Sequence, residues 1–349
     1  MRILFGVDII LVNKTLSLSD YPLDYKFNGI DLMKFICSYL VCIIHIKPFY
    51  SDSFEYADEI NFFLQNCFCR LAVPFFFLVS GFLFFRKQNL KNIDTGYVKF
   101  YCFRLLRLFG TWSMLLFIGG NGQLWYLKAL VVAVLILTIL FKLKIKIKYI
   151  FIITFILYFI GLLGDSYSWL IDLFSNKFLS IGFIGYEKIF STTRNGVFFG
   201  AFFVLLGVLF AHVSFKIDVK LTVVGFLVST IMMFFEVFIL KEYFVSKGYN
   251  MFLSLIPAVF FLFLLASRAN LDNNCIFRKL RIIGMLIFYL HLLIDCIVEY
   301  LIKIINSNIG IDFSAYRFLT VIIVVTFVSV VIERLSGRKK FEWLRYLYS

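Results

Sequence analysis

Continuous apolar runs, separated by short clusters of basic residues, organise this chain. Ten such runs are legible, at about 28–46, 68–85, 102–118, 124–141, 149–164, 197–213, 221–240, 251–268, 283–302 and 318–335. A helix needs roughly 20 apolar residues to cross the hydrocarbon core of a bilayer, and each run approaches that length. The runs are continuous and do not alternate, which argues against an outer-membrane barrel. They predict an all-α, polytopic membrane bundle of about ten transmembrane helices. Loops are mostly short and no internal repeat is visible. The exception is 165–196, long enough to fold over an outer mouth.

Composition sharpens this picture. Of 349 residues, 62% are hydrophobic and 16% charged, where a soluble domain carries roughly 45–50% and about 25%. With a mean hydropathy of +0.92, a soluble enzyme, a disordered chain and a secreted disulfide scaffold are excluded. The seven cysteines form no CxxC pair and lie mostly in apolar runs, so they read as small buried hydrophobes and not as a metal site. The net charge of +14 is assigned to basic cytoplasmic loops and not to nucleic acid.

The positive-inside rule orients the bundle. With the N-terminus inside, alternate loops place 24 of the Lys and Arg residues on the cytoplasmic side and 9 outside, Lys34 and Lys128 lying within spans. Both termini are therefore expected in the cytoplasm. The run at 3–12 is too short to span, is interrupted by Asp8 and lacks a small-residue cleavage site, so it is read as uncleaved and interfacial or cytoplasmic. Three regions result: an N-terminal segment at 1–27, a membrane domain at 28–335 and a basic cytoplasmic tail at 336–349.

Polar groups inside the spans narrow the chemistry, because each charge near a helix centre costs roughly 2.5–3.5 kcal/mol. The first span holds Asp31, Lys34, Ser38 and His45. Lys34 and His45 are eleven residues apart, three helical turns with about 20° left over, so they share a face about 16 Å long. That stripe is expected to form one wall of a polar channel. Asp31, one turn before Lys34, is the expected neutralising partner. A neutral imidazole at His45 suits a general base. In the ninth run His291, Asp295 and Glu299 follow at i, i+4 and i+8, lining an acceptor route or forming a polar seam between helices.

These residues resemble the acyltransferase-3 family of membrane O-acyltransferases. Lys34-x10-His45 is similar to its first-helix signature, and RLAVPFFFLVSGFL at 70–83 to its second helix. Arg104-x-x-Arg107 matches its Arg-x-x-Arg motif, and LWYL at 124–127 and YLH at 289–291 look like later helices. Two further segments, GLLGDSY at 161–167 and TTRNGVFF at 192–199, are similar to the membrane half of vancomycin-resistance serine racemases. There a pyridoxal-phosphate domain follows the last span. Only fourteen residues follow Leu335 here, so racemase chemistry is not expected of this sequence.

The resemblance implies an O-acyltransferase of the bacterial cytoplasmic membrane, moving an acyl group, acetyl by expectation, from acyl-CoA to a hydroxyl of a cell-envelope or capsular glycan or its precursor. A transporter-like or serine-handling module is the alternative. His45 and Lys34 are the catalytic candidates, and Arg104, Arg107 and Lys99 the cations expected to hold the donor's phosphates. His291, Asp295 and Trp125 are candidate acceptor contacts. Acetyl-CoA enters as a donor substrate, with no resident cofactor and no metal expected. Ser80 and Gly81 are assigned to close helix packing, and Lys128 to the cavity lining.

Overall fold

The computed structural model describes residues 2–3, 7–8, 10–11, 22, 25–49, 55–116, 122–173, 182, 192–215, 217–271, 275–309 and 316–349. Most of the loop expected to cover an outer mouth, 174–181 and 183–191, lies outside the described residues. The first helices are α1 (Asn28–His45), α2 (Ala57–Asn66), α3 (Ala72–Phe85) and α4 (Thr95–Leu115). Next come α5 (Trp125–Lys142), α6 (Ile147–Leu163), the single turn α7 (Trp169–Leu173) and α8 (Ala201–His212). The last four are α9 (Val219–Tyr243), α10 (Leu255–Arg268), α11 (Cys275–Ile309) and α12 (Arg317–Ser336). Two-residue strands are the only extended pairs among the described residues. Arg2–Ile3 (β1) pairs with Val7–Asp8 (β2), and Ile10–Leu11 (β3) with Ala269–Asn270 (β4). The N-terminal segment is thus tied to the end of α10.

Each of the ten long apolar runs coincides with a helix, but the helices are not equivalent. Among the described residues six helical stretches are long and apolar enough to cross a membrane by length and composition, α2 and α3 together making one of them (Ala57–Phe85), while Ile147–Leu163, Gly196–His212 and Leu255–Arg268 are apolar but shorter. The run at 102–118 falls on α4, which carries Lys99, Arg104 and Arg107 and is in neither group.

Local chemistry explains the boundaries. Asp94 caps α4, its Oδ1 accepting from Gly96 N at 2.8 Å and Tyr97 N at 3.2 Å. Asn195 does the same for the π-helical turn Gly196–Gly200 that leads into α8, and Asp218 for α9. Such caps satisfy amides that the first helical turn leaves without partners. Between α2 and α3 the backbone breaks at Cys67 and passes through a 3₁₀ turn, Phe68–Leu71. That break places Arg70.

The core centres on α3 and α8, whose phenylalanines interlock, with Phe75, Phe77, Phe82, Phe202, Phe203 and Phe210 essentially inaccessible. Gly81 and Gly207 make the approach possible. A Cβ on Gly81 would lie 2.3 Å from the Val204 carbonyl oxygen, and one on Gly207 2.2 Å from that of Leu78. Gly81 therefore packs helix against helix, as small residues do in membranes. Around this centre, α9 and α12 turn long apolar side chains outward: Leu227, Ile231, Phe235, Ile323 and Phe327 are exposed. A water-soluble monomer rarely shows contiguous apolar patches of that size. Facing lipid they cost nothing, and the chain is a membrane protein.

Candidate functional site

Both catalytic candidates are set by α1. Its N-terminal half places Asp31 and Lys34 at a large cavity of about 680 Å³, bounded by α1, α3, α4, α5 and α11. Among the described residues seven basic side chains line it: Lys26, Lys34, Arg86, Lys87, Arg104, Arg278 and Arg281. Asp31 is the single acidic side chain among the described lining residues. The Asp31 carboxylate faces Arg281 Nη1 at 3.4 Å, so its partner is Arg281 and not Lys34 as expected. Lys34 has no ion pair or hydrogen bond among the described residues and stands half-buried at the cavity wall. Seven cations against one acid create a positive field that favours a polyanion.

Deeper in, the lining turns aromatic. Phe76, Tyr126, Phe288 and Tyr289 close the inner end, with ring centroids of Phe76 and Tyr126 at 6.0 and 5.9 Å from Phe288. The Tyr126 hydroxyl reaches Ser80 Oγ at 3.0 Å.

His45 lies beyond that layer and does not line the cavity. The expectation of one open shaft from Lys34 to His45 is corrected by the packing of α1 on α11. Ser38, Val41 and Cys42 between them are buried, and Gly284 of α11 seats against Phe35, where a Cβ would stand 3.1 Å from its Cα. The shared helical face exists, but its middle is covered by protein.

His45 itself is solvent-accessible, and its ring centroid lies 5.3 Å from that of His291, which is fully buried. His291 Nδ1 sits 3.2 Å from the Ile287 carbonyl oxygen. A carbonyl only accepts, so Nδ1 carries the proton and Nε2 keeps a bare lone pair. That Nε2 is buried without a hydrogen-bond partner among the described residues. One accessible and one buried imidazole thus stand side by side, with Phe288 at 6.4 Å from His291 linking them to the cavity's inner layer.

The remaining candidates divide. Arg104 lines the cavity, but Arg107 and Lys99 do not. Arg107 donates to the Ser349 carbonyl oxygen and lies 5.4 Å from the Tyr346 ring, holding the tail against α4. Lys99 is exposed. Asp295 is closed off, taking a bidentate pair from Arg317 Nε and Nη2 at 2.7 and 2.6 Å. Glu299 joins the same network at 2.8 Å from Arg317 and from Lys303. This is the polar seam of the two readings left open. Trp125 stacks under Arg194 at 4.7 Å. Lys128 does not line the cavity: it is exposed and lies over Phe109 at 5.1 Å.

Two polar groups prove structural. Asp165 accepts from Asn250 N and Nδ2 and from Met251 N, while Glu236 accepts from Tyr167, Leu253 N and Ser254 N. Of the cysteines, five are buried as expected, but Cys275 and Cys296 are exposed.

Arg278 and Arg281 were not among the sequence candidates. Their spacing, Arg-x-x-Arg at a basic helix end, repeats that of Arg104 and Arg107, and that signal points to them.

Comparison with known proteins follows the same motifs. Residues 27–119 match a family model described as an acyltransferase domain, of the acyltransferase-3 type. The chain is 28% identical over 267 residues to an amino-acid racemase of Enterococcus faecalis, covering 68% of this chain and 35% of that one. It is 29% identical over 269 residues to a serine/alanine racemase of Enterococcus gallinarum, covering 70% and 37%. The chain spans less than half the length of the curated relatives it matches. No solved structure matches it. Both resemblances read from the motifs, to the family and to the racemase branch, hold.

Proposed function

We propose that this membrane protein, carrying an acyltransferase-type segment over 27–119, transfers an acetyl group from acetyl-CoA to a hydroxyl of an envelope or capsular glycan or its precursor. The reading places it in the bacterial cytoplasmic membrane as ten spans with both termini inside, which puts the cationic cavity on the side where acyl-CoA is found. One observation carries it: among the described residues Lys34 has no ion pair, and it stands in a 680 Å³ cavity whose described lining holds six other cations and a single acidic side chain. CoA brings phosphates that such cations hold by charge-assisted hydrogen bonds. The aromatic inner end suits the apolar thioester arm.

Transfer then joins the two ends of α1. His45 takes the hydroxyl proton, the oxygen attacks the thioester carbonyl, the C–O bond forms and the C–S bond breaks, and CoA leaves as its thiolate. The Phe76, Tyr126 and Phe288 layer must part for the arm to reach His45, so the reading requires an open state. General-base catalysis supplies about 10²–10⁴-fold, and His45→Ala is expected to lower transfer by about 10³ with normal membrane insertion. Proton NMR of glycan O-acetyl groups, from cells with the protein and with the variant, checks this. Unchanged acetylation in the His45→Ala cells removes the basis of the proposal.

The likeness to a serine/alanine racemase favours a second reading, a serine-handling membrane module. Serine flux into proteoliposomes without acetyl-CoA tests it, and no flux above empty vesicles eliminates it.

A further inference from the structure

We propose an oxyanion subsite on the His45 side of the bundle, formed by Arg70 and Arg194, that takes the carboxylate or phosphate of a hydroxyl-bearing acceptor. The word acceptor rests on the acyltransferase reading; the binding of an oxyanion does not.

The two arginines reach the same place from distant parts of the chain. Arg70 stands on the 3₁₀ break before α3, where its Nε and Nη2 donate to Asn66 Oδ1 at 3.2 and 2.8 Å. Arg194 precedes the cap residue Asn195, donates through Nη1 to Asn250 Oδ1 at 2.8 Å and lies over Trp125. Both line one recess, together with Ile44, the residue before His45, and Trp125. The two guanidiniums are electrostatically coupled to each other and to His45. Two like charges so placed repel unless an anion joins them.

No anion among the described residues stands at contact distance to the pair. Among the described residues no carboxylate lies within 4.0 Å of either guanidinium, whereas Arg281, Arg317 and Arg345 each have one. Asp165 is the carboxylate whose charge acts on both; it offsets one of the two positive charges from beyond 4.0 Å, its oxygens bonded to Asn250 and Met251, and leaves the pair net cationic. The partners that Arg70 and Arg194 do have are neutral side-chain amides, which orient a guanidinium without neutralising it. Each arginine spends only part of its donor set this way, since a guanidinium carries five N–H donors.

The size fits one oxygen. The recess measures about 10 Å³, close to the least volume that holds a water, so one oxygen of a carboxylate or phosphate enters it. The rest of the molecule then lies toward accessible His45, with its hydroxyl available to the base. A planar fork favours such oxyanions over other anions.

Equilibrium binding to the full chain in nanodiscs decides the matter, using four probes: glucose, glucuronate, glucose 6-phosphate and L-serine. Glucuronate or glucose 6-phosphate is expected to bind at least 10-fold more tightly than glucose, and their order separates a carboxylate from a phosphate ligand. L-serine outranking both would assign the carboxylate to an amino acid. Arg70→Gln and Arg194→Gln are each expected to erase the preference, Arg70→Lys and Arg194→Lys to restore part of it. In the unsubstituted protein, sulfate is expected to compete, which covers a variant that fails to fold. Equal binding of glucose and the charged probes, binding of none of them, or a preference that survives both Gln variants overturns the subsite. Charge-selective binding without acetyl transfer would leave the subsite standing and defeat the acyltransferase reading alone.

Discussion

Two stretches of α11 handle charge in opposite ways. Its start, with Arg278 and Arg281, opens on a cavity whose seven cations face one acid. Its far end, with Asp295 and Glu299, is sealed by Arg317 and Lys303 at 2.6–2.8 Å. Both cost desolvation; the second offsets that cost within the chain, the first only in part, through Arg281 on Asp31. Charge matched by the fold serves the fold, and charge left unmatched is what the proposed donor would meet. His291, between the two, follows the open pattern with its bare Nε2.

Substitutions can break this contrast. The largest effect is expected at the open end. Each charge-assisted hydrogen bond is worth about 1.5–3 kcal/mol, so Lys34→Ala combined with Arg104→Ala should raise KM for acetyl-CoA by about 10²–10⁴ with little change in unfolding temperature. Steady-state kinetics in detergent measures it, and an unaltered KM would place the donor elsewhere. At the sealed end the outcome should invert. Asp295→Asn is expected to destabilise the protein by about 1–3 kcal/mol, since Arg317 keeps Glu299 but loses its buried bidentate partner. Denaturant melts would register this while KM for acetyl-CoA stays put. The smallest effect belongs to Lys128, whose exposed contact with Phe109 is worth about 0.5–1 kcal/mol. For Lys128→Ala, a shift in KM would show that the cavity extends to α5's outer surface.

Much of the site was legible because it obeys local rules. Lys34 and His45 follow from the intolerance of a bilayer for charge, with the Lys-x10-His spacing alone putting both on one helix face, and Arg104 from an Arg-x-x-Arg motif beside a cytoplasmic boundary. Arg107 and Lys99 share the charge and the helix of Arg104, yet one holds the tail and the other is exposed. Adjacent turns of one helix see different neighbours, and a sequence does not state which neighbour arrives. The same limit hid Arg281, which took Asp31 from Lys34, and left open whether Asp295 lined a route or a seam.

The sequence by itself determined that this chain lives in a membrane, that its segments are helical, and which residues are too costly to be there without purpose. Hydrophobicity and helical periodicity are properties of a segment, so they survive without knowledge of the fold. Tertiary structure alone decided that the Lys34–His45 face is covered midway, that His45 meets His291, and that Arg70, Arg194 and Trp125 line one recess. Those outcomes depend on which helix packs against which, through close approaches such as Gly81 on Val204 and Gly284 on Phe35, and long-range packing is not written at any single position.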